Sequence, residues 1–558
     1  PPRSTLFPYT TLFRSEFRLE GKEFKFSEEK WHTLIQNSKI VRLMDDFISQ
    51  NKEREDHLLF SGRNEFEAIE MNPYNDGTAF FTGKTKIAGE YTREAYEREI
   101  RPNLTDFSDL LPQLTIDKKK KDEITNFVFE KAQRYAINYR KAYLEYYRNF
   151  NVNADSIGAL HLVLTQMQLP AGAFIEFLKT ITDNTMLDIP SSLYFGPLQE
   201  ELQGFKPIHR LIASKENPEI QKYYTILQTL KDELLEVSPK KDKKKEEKKE
   251  ASQEDDFKEF EELLPPVGRL ALPILARQND SYLAITQTWL KSVGIVRAWQ
   301  RPFLLPVHAL YDLGLVEIEK TLHKNWERRV FPIVSPFLSK FPFNLESERD
   351  VIPLELESAI HPQGGKFWQS FHRFIAPVCD QNEGAWEIKP SLREPVNAPK
   401  EMLLVVNHLW WLSRHVLWDK EGNPRPIVFP MKSAPLPAQP YNGKYATLAC
   451  LSLGNASYFN FNQQPTWQSF SVSWWKQETA KIILEYTHAE NREKSEYSIL
   501  LDECFWGFFK LLRKSKLLEK ELWTWNLPDG ASDYTTAKVR YYIQGDPWKY
   551  FGIKDSEK

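Results

Sequence analysis

The spacing of apolar residues changes once along this chain, at the breaker cluster Asn423-Pro424-Arg425-Pro426. From about residue 256 to 419, apolar residues recur at the spacing of one face of an α-helix. After the cluster the period becomes two, and Ser469–Trp474 (SFSVSW) alternates small polar with large apolar residues, as a half-buried strand does. We therefore predict an α+β multidomain chain, with elongated helical domains first and a C-terminal β-sandwich-like domain last.

A long helix is predicted over Lys118–Phe150, where apolar and aromatic residues recur at helical spacing. Four members of this stripe are tyrosines: Tyr135, Tyr139, Tyr143 and Tyr146. The stripe is compatible with a binding face, but amphipathic aromatic side chains more often pack in a core. We predict a packed helix.

Turn sequences, together with alternation of polar and apolar residues, predict further strands. Gly454-Asn455 predicts a two-residue hairpin turn, and Asn75-Asp76-Gly77 predicts a turn before Phe80-Phe81. The predicted strands are Ile427–Pro437, Tyr458–Phe461, Lys481–Tyr486, Leu522–Leu527 and Lys538–Ile543, with a short hairpin over Phe17–Phe26. One helix, Asp502–Leu512 (DECFWGFFKLL), is predicted to interrupt the β-rich region.

The chain has 558 residues, too many for one hydrophobic core, so several domains are expected. Residues 1–15 have no periodicity and resemble translated sequencing-adapter read-through, so we expect them to be foreign to the fold. Residues 238–256 (SPKKDKKKEEKKEASQEDD) contain too few apolar residues to offset their ordering entropy. The predicted parts are a helical region at 16–237, a charged flexible linker at 238–256, a second helical domain at 257–422, a β-sandwich-like domain at 423–548 and a tail at 549–558.

Bulk properties exclude several classes of protein. The formal net charge of -3 gives no basic field that would attract nucleic acid. Three distant cysteines, Cys379, Cys450 and Cys504, exclude a disulfide framework. The most apolar window, Met402–Trp418, is interrupted by Asn407 and charged or polar residues, so it predicts a buried helix rather than a membrane span.

No sequence motif for catalysis is present. The phosphate loop GxxxxGK[ST], the zinc pattern HExxH and the nucleophile elbow GxSxG are all missing. His361–Trp386 (HPQGGKFWQSFHRFIAPVCDQNEGAW) gathers histidines, a cysteine and a Gly-Gly pair, but the histidines and Cys379 do not share a helix face. We predict that this stretch is scaffold, with its glycines turning the chain into a helix, and that the chain has no catalytic, cofactor-binding or metal-ligating residues.

The same stretch carries a family resemblance. KFPF at Lys340–Phe343, followed by acidic residues and HPQGGKFWQSFHRFIAPVCDQNEGAW, resembles the RYPF…FGPGG…PFVD…W run of the TssM/IcmF family. IAGEYTREAYE, YRKAYLEYYRNF, PTWQSFSVSWWK and ECFWGFFKLLRK resemble other elements of that family in the same order. This chain has Trp475-Lys476 where the family has Pro-Gly after its tryptophan. The resemblance extends from about residue 60 to 545.

Members of this family are inner-membrane subunits of type VI secretion systems, so the resemblance implies a structural role and no enzyme activity. It implies that the full-length protein crosses the inner membrane of a Gram-negative cell upstream of this chain, and that this chain is its periplasmic portion. The implied partners are a TssJ-like outer-membrane lipoprotein, a TssL-like subunit and further copies of the chain in a ring-like complex. Any nucleotide-binding cytoplasmic domain would lie upstream of residue 1.

The candidate partner interface is Trp474, Trp475 and Lys476, at the end of a strand of the β-rich domain, although core packing is the more common fate for Trp474. Two other functions stay open. A tryptophan-rich β domain with many carboxylates also suits a cell-wall glycan-binding or glycan-acting protein, provided that its aromatic residues lie exposed in a row. An IcmF-like component of a type IV (Dot/Icm) system shares the family and differs in the machine that it serves.

Overall fold

The computed structural model describes residues 18–19, 22–23 and 66–552, apart from 72–73, 76–77, 80, 84–85, 114–117, 214–216, 237–258, 439, 441–442, 462 and 528–536. The chain forms two compact units. Unit 1 comprises Pro1–Ser238 and Tyr282–Leu310, and unit 2 comprises Pro239–Ser281 and Tyr311–Lys558. Among the described residues, no helix is both long enough and apolar enough to span a bilayer.

Helices occupy most of the described residues between 93 and 417. In chain order they are α1 Arg93–Ala95, α2 Arg101–Leu110, α3 Lys118–Asn149, α4 Ile157–Met167, α5 Ala173–Thr185, α6 Gly196–Leu202, α7 Lys206–Ile212, α8 Pro218–Glu236, α9 Pro266–Leu275, α10 Tyr282–Ser292, α11 Arg301–Asn325, α12 Phe331–Leu338, α13 Pro353–Ile360, α14 Lys366–Phe374, α15 Met402–Trp411 and α16 Gly507–Arg513. Wider π-helical turns follow α1, α11 and α15, at Tyr96–Ile100, Trp326–Val330 and Leu412–Leu417.

Strands are short before residue 390 and longer after 426. They are β1 Arg18–Leu19, β2 Lys22–Glu23, β3 Ile69–Glu70, β4 Tyr74–Asn75, β5 Thr78–Ala79, β6 Phe81–Thr82, β7 Lys86–Ile87, β8 Asn151–Val152, β9 Cys379–Asn382, β10 Ala385–Ile388, β11 Ile427–Ser433, β12 Lys444–Leu453, β13 Ala456–Asn460, β14 Gln468–Val472, β15 Glu478–His488, β16 Lys494–Cys504, β17 Lys516–Glu519, β18 Leu522–Leu527 and β19 Ala537–Ile543. The antiparallel pair β1–β2 confirms the predicted hairpin over 17–26. Strands β4 and β5 pair antiparallel on either side of residues 76–77.

Helix α3 confirms the long helix predicted over 118–150, and its tyrosine stripe is packed rather than exposed. Tyr139, Tyr143 and Tyr147 are fully buried, with Tyr135 and Tyr146 nearly so. A buried phenol requires a hydrogen-bond acceptor, and here backbone carbonyls supply it. Tyr143 donates to the Tyr91 carbonyl at 2.8 Å, and Tyr139 donates to the Asn184 carbonyl. The stripe thus attaches the short helical turn Gly89–Tyr91 and the last turn of α5 to the long helix.

The end of α3 is joined to the segment Tyr282–Leu310, which lies inside the predicted second helical domain but packs in unit 1. Tyr147 donates its phenol hydrogen to the Trp299 carbonyl. Arg301 donates to the Phe150 carbonyl at 2.6 Å, close to the helix C-terminus, where cations interact favourably with the helix dipole. The predicted domain limits at 237 and 257, and the predicted linker, lie in or beside the undescribed stretch 237–258, so they stay predictions.

One half-buried histidine, His209, is expected to make the stability of unit 1 depend on pH. The Thr185 hydroxyl donates to the Ile181 carbonyl at 2.7 Å, so it can only accept from His209, whose Nε2 lies 2.8 Å away. His209 therefore carries its hydrogen on Nε2 when neutral, and protonation would occur at Nδ1. Burial, assisted by the nearby charge of Lys206, lowers the pKa of His209 to about 4.

Because this pKa is lower in the folded state than in the unfolded state, the unfolded chain binds the extra proton first as pH falls below about 6.5. We expect unit 1 to lose about 1 kcal/mol of stability between pH 7.5 and 5, after allowing for solvent screening of the half-exposed ring. The test compares urea unfolding of the wild type and of His209→Gln, which keeps a donor for Thr185, at both pH values. Equal losses in the two proteins would contradict the assignment.

The predicted buried helix at Met402–Trp418 is confirmed as α15 followed by its π-helical turn. Asn407, which interrupts the apolar window, is paired with the backbone of Trp386 in β10. It accepts from the Trp386 amide at 2.6 Å and donates to the Trp386 carbonyl at 3.0 Å. The Asn407 side chain therefore attaches the β9–β10 hairpin to α15.

The β-rich region forms two antiparallel sheets, as predicted. One sheet has the strand order β14-β11-β19-β18-β17, and the other has the order β13-β12-β15-β16. Tyr458 of β13 and Tyr541 of β19 make an edge-to-face contact at 5.6 Å between ring centroids, so the two buried faces meet. The turn at Gly454-Asn455 is confirmed, because Leu453 pairs with Ala456 and Gly454 has φ +51.

The helix predicted over Asp502–Leu512 is wrong in its first part. Residues 502–504 end strand β16, where Cys504 pairs with Glu478 of β15. The chain then turns at Trp506, which has φ +60, and α16 begins at Gly507. The sequence prediction missed β16 because apolar residues sit on both faces of this edge strand, which hides the period of two. Beyond the predicted limit at 548, Phe551 is still buried.

Candidate functional site

In the stretch 361–386, the two histidines and the cysteine make packing contacts and local hydrogen bonds. His361 Nε2 lies 3.0 Å from the Gly422 carbonyl oxygen, and the His372 ring lies against the Trp386 ring at 5.6 Å. Cys379 is buried, and burial raises the pKa of its thiol to about 12. The described residues contain no cluster of three or more side chains that could hold a metal ion.

Unit 1 contains an open groove. It is lined by α3 and by the segment that leads into α6, with Phe129, Gln133, Leu193 and Glu200 on its walls. Glu201 at its rim is paired with Arg140 at 2.5 Å. The lining contains two carboxylates, Glu200 and Glu201, and no histidine, cysteine, lysine or arginine.

The three residues of the predicted partner interface occupy different environments. Trp474 is 1% exposed, and its Nε1 donates to the Arg425 carbonyl at 3.0 Å, so its ring belongs to the core. Trp475 is half-buried and lies edge-to-face on Trp474 at 5.9 Å. Lys476 is exposed. Of the three, Trp475 and Lys476 present side-chain surface to solvent.

A second exposed surface, which the sequence prediction missed, lies at the connection between β13 and β14. Phe459 and Phe461 are 46% and 61% exposed, and their rings stack at 5.9 Å. Trp467, 47% exposed, has the Lys432 ammonium 5.0 Å from its ring centroid. We refer to Phe459, Phe461 and Trp467 as the aromatic edge. Its sequence signal was the pair Tyr458-Phe459, where apolar residues on both faces of a strand indicate that the outer face is also used.

The remaining tryptophans of the β-rich region do not form an exposed row. Trp506 and Trp525 are buried together with Trp474, and Trp523 is 8% exposed. Three others reach solvent: Trp467 and Trp475 stand at opposite ends of β14, and the half-buried Trp548 contacts the rings of Phe341 and Phe509. A glycan-binding platform requires aromatic faces side by side. This arrangement gives no support to the glycan hypothesis.

Comparison with known proteins gives a match in structure and none in sequence. No family model and no curated protein matches the sequence. A chain of a type VI secretion system membrane core complex superposes with a TM-score of 0.54 at 16% identity, over 92% of this chain and 97% of that chain. A chain of a type VI membrane complex also gives 0.54, at 13% identity, over 94% of this chain and 98% of that chain. The C-terminal domain of the T6SS protein TssM from EAEC gives 0.30, below the level that indicates a common fold. The protein therefore shares its fold, over nearly its whole length, with two chains of type VI secretion membrane complexes.

Proposed function

We propose that this protein is a structural subunit of a type VI secretion membrane complex, of the TssM/IcmF type. The observation that carries the proposal is the likeness of fold to two such chains over more than nine-tenths of this chain. The sequence resemblance supports it independently, because KFPF and the stretch 361–386 follow one another in the family's order. A fold alone does not define a function, so the two lines of support are needed together.

The same proposal includes a scaffolding rather than a catalytic role. The similar solved chains belong to membrane complexes, and the histidines and cysteine of 361–386 serve packing. On this view the full-length protein is anchored in the inner membrane, and this chain lies in the periplasm with a TssL-like subunit and further copies as neighbours. The upstream reading frame tests the topology: membrane-spanning helices encoded before residue 16 are expected, and a soluble upstream domain would contradict it.

We further propose that the β-rich region docks a TssJ-like outer-membrane lipoprotein. Aromatic residues, tryptophan above all, are enriched at protein–protein hot spots, and the β-rich region offers two surfaces with exposed aromatic rings. One is Trp475 with Lys476. The other is the aromatic edge, with Lys432 over the Trp467 ring.

Replacing Trp475 with alanine is expected to raise the Kd for the cognate lipoprotein about tenfold, the loss of one interface anchor. The melting temperature should stay nearly unchanged, because the ring is only half-buried. Binding is measured by biolayer interferometry with the soluble lipoprotein domain. Leu517→Ala serves as a matched control, because Leu517 is 54% exposed on β17, at the opposite edge of the same sheet.

Phe461→Ala provides the corresponding test of the aromatic edge. If Phe461→Ala alone weakens binding, the docking surface is the aromatic edge and Trp475 is not part of it. If the wild type does not bind the lipoprotein at high micromolar concentration, docking through this region is wrong. A fall in stability for Trp475→Ala would instead identify Trp475 as a core residue.

A further inference from the structure

A single arginine of unit 2 is held between two indole rings. Arg414 lies in the π-helical turn that follows α15, and its guanidinium carbon is 5.2 Å from the centroid of Trp410 and 5.6 Å from that of Trp368. Trp368 is fixed in α14 by a hydrogen bond from its Nε1 to the Ile360 carbonyl at 3.0 Å. We refer to Trp368, Trp410 and Arg414 as the indole clamp. Two aromatic walls orient the planar guanidinium and leave its edge as the recognition element.

The charge of Arg414 is not compensated by the described part of the chain. Its Nη1 is buried and has no hydrogen-bond acceptor, and no carboxylate of the described residues lies within ion-pair distance. Other arginines of unit 2 show the usual arrangement: Arg393 pairs with Asp312, and Arg513 donates to the Ser347 carbonyl at 2.9 Å. Arg414 is half-buried, so its guanidinium is only partly solvated, and an anion supplied by another molecule would compensate the charge that the described residues leave unpaired.

Electrostatics of the surroundings agree with the geometry. Desolvation lowers the pKa of Arg414, and no neighbouring carboxylate opposes this effect. The pKa of His372 is lowered too, first by burial and then by the positive charge of Arg414. The guanidinium therefore repels a second cation and favours an anion.

Further polar groups beside the indole clamp lack partners. The Trp386 ring contacts His372, and its Nε1 is buried without a hydrogen-bond acceptor. His415 contacts the Trp410 ring at 5.4 Å. In the adjacent hairpin, Glu387 accepts from Asn382 at 3.0 Å, and none of the carboxylates in the described part of the chain forms an ion pair with Arg414. Unused donors thus occur beside the half-buried ring of Trp410 at this place.

We propose that the indole clamp is a docking site for an acidic segment of a partner protein, with a partner carboxylate bound to the Arg414 guanidinium. A carboxylate matches the fork of donors on the guanidinium, and the half-buried Trp410 ring, the one of the two indoles that reaches solvent, suits an apolar residue of a peptide. An anionic membrane surface is the weaker alternative, because it is recognised by clusters of several cations rather than by one. This site is distinct from the lipoprotein surfaces proposed above, so either proposal can fail while the other stands.

The test measures binding of a fluorescein-labelled peptide of sequence EDFEDF to the whole chain by fluorescence anisotropy at low salt. The control peptide, QNFQNF, keeps the aromatic residues and removes the charges. We expect the acidic peptide to bind at least tenfold more tightly than the control. Arg414→Leu should reduce this binding at least tenfold, whereas Lys420→Gln, which removes an exposed lysine nearby in sequence, should leave it unchanged.

Stability separates binding from a structural role. Since Arg414 is an uncompensated cation, Arg414→Leu should keep or raise the melting temperature while it abolishes peptide binding. Arg414→Lys, which keeps the charge but loses the planar fork, should bind several-fold more weakly than the wild type. A lower melting temperature for Arg414→Leu, with no peptide binding by the wild type, would overturn the proposal.

Two further outcomes would also overturn it. If the peptide binds only after Glu254, Asp255 and Asp256 are neutralised, the clamp is filled by the chain's own acidic run rather than by a partner. If vesicles containing phosphatidylserine bind the wild type and lose affinity for Arg414→Leu while the peptide does not bind, the ligand is a membrane surface.

Discussion

Replacing Gly365 with alanine is expected to lower the free energy of unfolding by about 3 kcal/mol, the upper part of the range for overpacked sites. A Cβ atom at this position would lie 2.5 Å from the Ala359 carbonyl oxygen and 2.7 Å from the His361 nitrogen. Both are backbone atoms at the end of α13, so neither can rotate away as a side chain would. The backbone of Gly365 has φ -58, which alanine adopts freely, so the cost arises from the collision alone.

The neighbouring glycine provides a matched control within the same turn. A Cβ atom on Gly364 would meet no atom within 4 Å. Gly364→Ala should therefore change stability by less than about 0.5 kcal/mol, or stabilise slightly by restricting the unfolded chain. Both variants are measured by urea unfolding at neutral pH, followed by tryptophan fluorescence. Equal effects of the two substitutions would show that the close approach of α13 and α14 does not determine the choice of glycine.

This pair illustrates what the sequence could and could not predict. The Gly-Gly pair, followed by apolar residues at helical spacing, predicted a turn into a helix, and α14 begins at Lys366. Which glycine is required depends on the position of the Ala359 carbonyl. That position is set by the packing of α13 against α14, which no local pattern contains.

Side-chain periodicity made the order of helices and strands along the chain predictable, and its limits explain which elements were missed. Side-chain periodicity reports which face of an element is buried, so it gave the helix over 118–149 and strands such as Leu522–Leu527. Periodicity fails where both faces carry apolar residues, as in β16, because burial is then decided by the neighbouring strand. Segments that are distant in sequence can also pack together, as Tyr282–Leu310 does with the rest of unit 1, and such contacts leave no periodic signal in the sequence.

The candidate interface shows a similar limit. The sequence predicted Trp474, Trp475 and Lys476 as the candidate interface, with core packing the more common fate for Trp474, and the structure buries Trp474 while Trp475 is half-buried and Lys476 exposed. It could not show that Arg414 lacks a carboxylate, because ion pairing depends on which elements meet in three dimensions. Family motifs do not reveal such a residue either, since a motif records residue types and not their partners.

The second large effect is expected at Trp506, where the β-rich region is joined to the helical part of unit 2. Trp506 is 1% exposed and contacts the rings of Trp474 at 6.2 Å and Phe551 at 5.3 Å. Its Nε1 donates to the Val351 carbonyl at 2.7 Å. One turn later, Lys510 pairs with Asp350 at 2.5 Å. Two successive residues of the 350–351 loop are therefore bonded to this corner, the start of α16.

Trp506→Ala should lower the free energy of unfolding by about 3–5 kcal/mol, because it leaves a cavity the size of an indole. Trp506→Phe refills most of that cavity but leaves the buried Val351 carbonyl unpaired, so a loss of about 1–2 kcal/mol is expected. Trp475→Ala, at a half-buried ring two strands earlier, is the control and should cost less than about 1 kcal/mol. The three variants are compared by guanidinium unfolding at pH 7.5. A loss below about 1 kcal/mol for Trp506→Ala would mean that this corner is not what holds the β-rich region to the 350–351 loop.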